Sequence, residues 1–425
     1  MSRSDALRER ISLMPALHSL SFLASVPRRL GHAVLLLLGL WSGTLQAASA
    51  AATAAAAPAP PPAIAASSYL LIDAETLRVL VEQNSRAPLP PASLTKIMTA
   101  YVAEIELASG RIKLSDDVPV SVNAWQAEGS RMFIQEGTTV PLEKLLRGVI
   151  ISSGNDASIA IAEYIAGSES AFADMMNEQA RKLGMTDTHF ENATGLPAPE
   201  HRTTAHDLAL LTRALIREFP EHYAIYAEKS FTFNGIDQPN RNRLLWRDRT
   251  VDGVKTGHTE EAGFCLVASA KREDQRLISV VMGTESDEAR MRESQKLLSY
   301  GFRYFQTHRL YEGGVPLKTA RVWYGTADEV GLGAAETVTV TITRGAYDSL
   351  KAELVVPNAI EAPLEKGQVL GRLVLRLGEE TVADVPLVAL DAVEEAGFFS
   401  RIVDFLLLLF ANLFTSDETE APAGG

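Results

Sequence analysis

The chain has 425 residues, 46% hydrophobic and 22% charged, with a net charge of −13 and one cysteine. That length allows two or three domains with their own cores, in a composition typical of soluble globular proteins. The acidic balance argues against a general nucleic-acid binder, which shows a basic face, and the single Cys265 excludes an intrachain disulfide.

In chain order, Arg28 and Arg29 precede the apolar run AVLLLLGLW, Ala33 to Trp41, and small residues follow around Ala47 to Ala50. A basic region, a short apolar core and a small-residue exit predict a secretory signal peptide within residues 1–50, cut after Ala47 or Ala50. The alternative, a retained anchor helix, asks a short run to span a bilayer. Met1 to Pro27 make a long lead, read as an extended basic region or as sequence upstream of the true start. Residues 51–67 are an Ala/Pro-rich linker.

Folded sequence is expected over 68–306. SYLLIDAETLRVLVEQN reads as two strands around a turn at Asp73 to Thr76. After the prolines of PLPPASLTK, apolar residues recur at helical spacing from Leu94 to Leu107. VPLEKLLRGVIISSGNDASIAIAEYIAG holds two helical runs broken at SSGND, and AFADMMNEQARKLGM and TAHDLALLTRALIREF are helical again. From Phe231 the texture turns to strands: FTFNG, VDGVKTGHTE, FCLVASAKRE and RLISVVMG, closed by the helix RMRESQKLLSYGFRYF. Strands at both ends with helices between predict an α/β fold, one mainly antiparallel sheet flanked by helices. Residues 307–395 carry short strands with Gly and Pro turns, a small all-β domain.

The segment 396–415 ends in FFSRIVDFLLLLFANLFT. At helical spacing Ser400, Arg401, Asp404, Ala411, Asn412 and Thr415 fall in one arc of roughly 120°, with Leu408 the apolar intruder. This predicts a helix lying in a membrane interface with its polar stripe to water. A core helix of the β-domain and a transmembrane span are the alternatives. A span would be short and would bury Arg401 and Asp404. Residues 416–425 are a disordered tail.

Three signals carry chemistry. Ser93 stands three residues before Lys96, Ser153-Gly154-Asn155 breaks a helical run, and Lys255-Thr256-Gly257 sits on a strand. A serine hydroxyl needs an adjacent base, and on a helix positions three apart share a face. Lys96 must be neutral to act, so burial and a cation, with Lys255 the obvious one, must lower its pKa. Ser153 can relay a proton to a leaving amine, and Asn155 can hold a substrate amide or Lys96. Gly257 lets a substrate backbone lie against the strand edge, and Thr256 beside a cation can bind a carboxylate. Ser121 to Asn123 repeats the serine-x-asparagine spacing on a strand edge. Asp156 and Asp207 read as capping and bracing residues, and Cys265 as a buried strand residue. No His-Glu-x-x-His or Gly-x-Ser-x-Gly motif occurs, so a zinc peptidase or an α/β-hydrolase is not expected; no metal or other cofactor is expected either.

The three signals form the trio of penicillin-recognising enzymes. PASLTKIMTAYV, LLRGVIISSGNDA, LWRDRTVDGVKTGHT and Arg290-x-x-Glu-Ser-x-Lys-Leu-Leu resemble the low-molecular-mass penicillin-binding proteins of the D-alanyl-D-alanine carboxypeptidase type. The resemblance implies a β-lactamase/transpeptidase-like catalytic domain, then an all-β domain and an amphipathic anchor. It implies removal of the terminal D-alanine from peptidoglycan pentapeptide through an acyl-enzyme on Ser93, inhibition by β-lactams, and residence at the periplasmic face of the inner membrane. By position Ser93 matches the nucleophile, Lys96 the base, Ser153 and Asn155 the second motif, and Lys255, Thr256 and Gly257 the third. His258 matches the residue whose backbone N–H joins that of Ser93 in an oxyanion hole, its ring either taking part or only packing. Arg290 matches a substrate-carboxylate arginine, or else a surface helix residue, and TESDEAR before it departs from the family's usual stretch.

Rival readings are a D,D-endopeptidase or a β-lactamase of the same fold, for which Glu191 is the nearest deacylating carboxylate, and a non-catalytic envelope scaffold. An intact trio argues against the scaffold.

Overall fold

The structure, a computed structural model, describes residues 59–415, with side chains placed up to Leu407. The predicted signal peptide, residues 51–58 of the linker and the predicted tail lie outside the described residues. The rest of the linker is packed and not loose: Tyr300 Oη donates to the Ala59 carbonyl at 2.8 Å, and Ile64 and Ala66 lie against the core that holds Tyr300. Two compact units divide the chain. One runs to His308 and takes back Thr339–Arg344; the other holds Arg309–Val338 and the chain from Gly345. The return segment, which a single boundary at residue 306 does not foresee, is fixed in the larger unit by Thr341, whose hydroxyl meets those of Thr76 at 2.7 Å and Thr307 at 3.0 Å.

The larger unit is built on β1 (Ser68–Asp73), β2 (Val79–Gln83), β3 (Val251–Thr259), β4 (Gly263–Arg272) and β5 (Gln275–Thr284). They form one antiparallel sheet in the order β2-β1-β5-β4-β3. Its helices are α1 (Lys96–Ala108), α2 (Asn155–Ala166), α3 (Glu169–Lys182), α4 (Ala205–Glu218) and α5 (Asp287–Tyr304). The inner strands are nearly continuous in apolar residues because both faces are buried, and the two-residue period sorts them. Leu70, Ile72, Cys265, Val267, Ile278 and Val280 join the core made with α1, α2 and α4. Tyr69, Leu71, Leu266, Ala268, Leu277 and Val281 join the other, made with Leu297, Leu298 and Phe302 of α5. Hence β1 and β5, far apart in sequence, pair in the middle of the sheet, and β3 is left as an edge.

The second unit carries a six-stranded sheet of β6 (Lys318–Trp323), β7 (Glu329–Ala334), β8 (Leu350–Val355), β9 (Ile360–Glu361), β10 (Val369–Leu377) and β11 (Glu380–Ala389), ordered β8-β10-β11-β7-β6-β9. Strand β7, EVGLGA, escapes a reading by apolar alternation because two of its six residues are glycine. A last helix, α6 (Phe398–Thr415), follows. Among the described residues no helix is long and apolar enough to cross a membrane.

Candidate active site

Ser93 lies in a 3₁₀ turn, Ala92–Thr95, that runs directly into α1 at Lys96. The turn is entered through Pro91, and Ala92 takes a left-handed φ of 48°. Spacing by three residues brings Lys96 Nζ within 3.1 Å of Ser93 Oγ. Nζ also donates to Asn155 Oδ1 at 2.7 Å and to the Thr194 carbonyl at 2.5 Å. Lys96 is 1% exposed, and this burial, aided by the Arg241 guanidinium and opposed by Asp156 and Glu169, lowers its pKa from 10.5 to about 7. The sequence nominates Lys255 as the cation that depresses Lys96. Burial does most of it; Arg241, whose Nε is anchored on the Ser152 carbonyl at 3.1 Å, adds to it, and Lys96 and Lys255 repel each other.

The break at SSGND is a wide helical turn. Gly148–Ser152 form a single π-helical turn, Ser153 takes a left-handed φ of 61°, and α2 starts at Asn155. The turn closes tightly because Gly148 has no side chain: a Cβ there would stand 2.2 Å from Met132 Sδ. Asn155 Nδ2 donates to the Glu128 carbonyl at 2.6 Å, which turns Oδ1 toward Lys96. Asp156 accepts the backbone N–H groups of Met132, Phe133 and Ile134 at 2.9, 2.8 and 3.2 Å and so pins one cleft wall. Asp207 braces 187–188, accepting from Asp187 N at 3.1 Å and Thr188 Oγ1 at 2.7 Å.

Edge strand β3 supplies the third group. Lys255 is buried, and its Nζ donates to Ser153 Oγ at 2.8 Å and to the Thr256 carbonyl at 3.0 Å. Burial, then the charges of Lys96, Arg241 and Arg290, hold its pKa well below the usual lysine value. Gly257 also has a local reason of its own. A Cβ there would meet the Pro91 carbonyl at 3.0 Å, Ala92 Cβ at 3.2 Å and Leu94 Cγ at 3.2 Å, so the glycine admits the serine turn itself. His258 is exposed, its ring 4.0 Å from that of Phe264. Arg290, on α5, is 7% exposed and no surface residue. Its Nη1 donates to the Gly257 carbonyl at 2.9 Å, and Nη2 bonds Asp287, the aspartate of TESDEAR.

Sequence reasoning passed over Arg241, the Thr194 carbonyl and His201. His201 is the neighbour of Thr95: Nδ1 accepts from Glu191 N at 3.0 Å, so Nε2 carries the proton and donates to Thr95 Oγ1 at 2.8 Å. Burial, then His189 and Lys96, lower its pKa to about 4, so it stays neutral. The other nominees are spent locally. Glu191 accepts from Glu200 N at 2.8 Å, and Ser121 caps a short helical turn and donates to Glu163 at 2.6 Å.

A cleft of about 1080 Å³ opens between Phe133, Ser152, Arg241, His258, Phe264 and Arg290, of which Ser152 and His258 are the chain neighbours of Ser153 and Gly257. Residues 52–286 match the D-alanyl-D-alanine carboxypeptidase family, and residues 305–395 match the C-terminal domain of penicillin-binding protein 5. The chain belongs to the D-alanyl-D-alanine carboxypeptidase family. It is 47% identical to D-alanyl-D-alanine carboxypeptidase DacC of Escherichia coli K12, over 83% of this chain and 90% of that protein. It is 44% identical to DacA of the same strain, over 83% and 89%. Penicillin-binding protein 5 of Haemophilus influenzae superposes with a TM-score of 0.78 at 41% identity, covering 79% of this chain and all of that one. As a D-alanyl-D-alanine carboxypeptidase the chain is a serine-type hydrolase of the penicillin-binding, cell-wall class.

Proposed function

We propose that Ser93 is the acylated serine and Lys96 its base, and that the substrate is the D-Ala-D-Ala end of a peptidoglycan pentapeptide. The observation that carries this is Lys96 Nζ, buried and brought near neutrality, 3.1 Å from Ser93 Oγ. The Lys96 amine takes the hydroxyl proton while Ser93 Oγ attacks the carbonyl of the penultimate D-alanine. The backbone N–H groups of Ser93 and His258 receive the oxyanion. The C–N bond then breaks, and the proton passes from Lys96 through the Ser153 hydroxyl to the leaving amine of the terminal D-alanine. Water, losing its proton along the same chain, hydrolyses the ester and restores Ser93. Asn155 positions Lys96 and a substrate amide, and Lys255, Thr256 and Arg290 face the terminal carboxylate. Gly257 keeps the strand edge open for an extended peptide. Penicillins acylate the same serine, as the family name suggests.

The proposal extends to residence. Residues 1–50 direct export and are removed, 51–67 lead into the catalytic domain of 68–306, 307–395 are a separate β-domain, and helix 396–415 attaches the enzyme to the periplasmic face of the inner membrane. Homologues of the bacterial cell-wall class are consistent with that compartment.

The deciding experiment pairs labelled penicillin with a diacyl-D-Ala-D-Ala peptide. One covalent adduct on Ser93 and release of free D-alanine are expected, both abolished in Ser93→Ala. No adduct, or D-alanine released by the Ala variant, overturns the assignment. Faster cleavage of a cross-linked dimer than of the linear peptide would favour an endopeptidase.

A further inference from the structure

We infer that Asn192 is a positioning residue for the reaction: it shapes the 192–196 turn so that the Thr194 carbonyl and the Asn155 amide oxygen take both N–H bonds of a neutral Lys96, leaving the amine lone pair facing Ser93 Oγ.

The inference rests on Lys96 being the base and follows from counting donors. An ammonium has three N–H donors, whereas a neutral amine has two and one lone pair. Three atoms surround Nζ: Ser93 Oγ at 3.1 Å, Asn155 Oδ1 at 2.7 Å and Thr194 O at 2.5 Å. The last two can only accept, the amide being fixed because its Nδ2 donates to the Glu128 carbonyl. The hydroxyl alone can donate. Once neutral, Lys96 satisfies the two shorter contacts with its N–H groups and must take the serine proton on its lone pair.

Thr194 is held to this task by its neighbour. Asn192 Oδ1 accepts from Thr194 N at 3.1 Å, Thr194 Oγ1 at 2.9 Å and Gly195 N at 2.7 Å, and Nδ2 donates to the Leu196 carbonyl at 3.0 Å. This is an Asx-type turn with every side-chain group in use. The flank is clamped as well: Ala193 N donates to Glu169 at 3.0 Å, and the Ala193 carbonyl accepts from Thr99 at 2.7 Å. Gly195, at φ +83°, lies so close to the serine turn that a Cβ would stand 1.8 Å from the Ala92 carbonyl. The charged and titratable groups around Lys96 are Arg241, Asp156 and Glu169, with Lys255 and the neutral His201.

The test is pre-steady-state acylation by a fluorescent penicillin across pH, for the wild type, Asn192→Ala and Asn192→Asp. Asn192→Ala is expected to lower the plateau acylation rate by about tenfold to a hundredfold, the usual penalty for a misplaced catalytic group, with initial binding unchanged. Its acid limb should stay put or move down, because a carbonyl stabilises the ammonium more than the amine. Asn192→Asp keeps the acceptor oxygen and adds a negative charge, so its plateau should survive while the limb moves to higher pH. An Ala variant with a normal plateau overturns the inference, as does one whose limb merely rises, the sign of water reaching Lys96. If the Ala variant does not fold, a folded Asp variant with a collapsed plateau overturns it equally. Lys96→Ala separates the failures: normal acylation there refutes Lys96 as base, whereas a dead Lys96→Ala beside an unaffected Asn192→Ala refutes only the role of Asn192.

Discussion

Lys255 Nζ donates to Ser153 Oγ over 2.8 Å, joining an edge strand to a helix break 102 residues away. Ser153 reaches that position only by adopting a left-handed backbone, φ 61°. Such a conformation strains any residue with a Cβ, by roughly 1–2 kcal/mol. The strain and the proposed proton relay therefore sit on one residue, and two substitutions part them. Ser153→Ala keeps the strain and loses the hydroxyl, while Ser153→Gly loses both. Both should lose about a hundredfold or more in acylation, the scale of positioned proton transfer. The Gly variant should be the more stable of the two in urea melts, by about 1 kcal/mol. Equal acylation by Ser153→Ala and wild type would remove Ser153 from the relay.

The depressed pKa of Lys96 has two consequences of known sign. A base must be neutral, so acylation should rise with pH and reach half its plateau near 7. Arg241→Gln removes a repelling cation and should move that limb upward. In folding, the unfolded lysine holds its proton up to about 10.5, whereas the folded one gives it up at about 7. The unfolded state thus binds more protons between these values, and stability rises with pH across that window. Lys96→Met should flatten the slope of unfolding free energy between pH 7 and 10.5; an unchanged slope would place the proton elsewhere.

Asp156 is buried and carries three backbone N–H groups of one cleft wall on its two oxygens. Hydrogen bonds to a charged group contribute about 1.5–3 kcal/mol each, and the orphaned donors would be partly buried. Asp156→Ala should cost on the order of 3 kcal/mol or more in denaturant melts. Its acylation should fall as well, because Phe133 lies in that wall and lines the cleft. A variant of normal stability would show that water replaces the carboxylate.

The sheet was legible because β1, β4 and β5 are apolar on both faces, and the three motifs because their residues are close in sequence or fall at visible breaks. What stayed hidden depends on tertiary approach. Thr194 offers Lys96 a main-chain carbonyl, which no side-chain pattern marks. Arg241 lies outside every motif and acts through its charge. Gly257 was read as leaving room for substrate, but what its missing side chain also accommodates, Pro91 to Leu94, comes from 163 to 166 positions earlier in the sequence, beyond any local pattern.

One member of the polar arc of α6 takes a different part from the one expected. Ser400 and Arg401 are exposed, but Asp404 is partly buried: its Oδ2 accepts from Tyr324 N at 2.8 Å, and Arg321 lies 4.0 Å away. The apolar residues are the ones left out, with Phe398 74% exposed, Phe399 83% and Phe405 56%. Asp404 thus docks the helix on its own β-domain, and the phenylalanines remain for the proposed membrane contact. Burying one such ring in an apolar phase contributes about 1.5–3 kcal/mol, so Phe399→Glu or Phe405→Glu should weaken binding to anionic vesicles by roughly tenfold or more. Deleting Gly397 onward should abolish vesicle binding and leave soluble D-alanine release intact. Asp404→Ala should keep vesicle binding but make the helix more open to limited proteolysis. Vesicle binding that survives Phe405→Glu and vanishes in Asp404→Ala would mean that the docked carboxylate, and not the apolar face, holds the enzyme to the lipid.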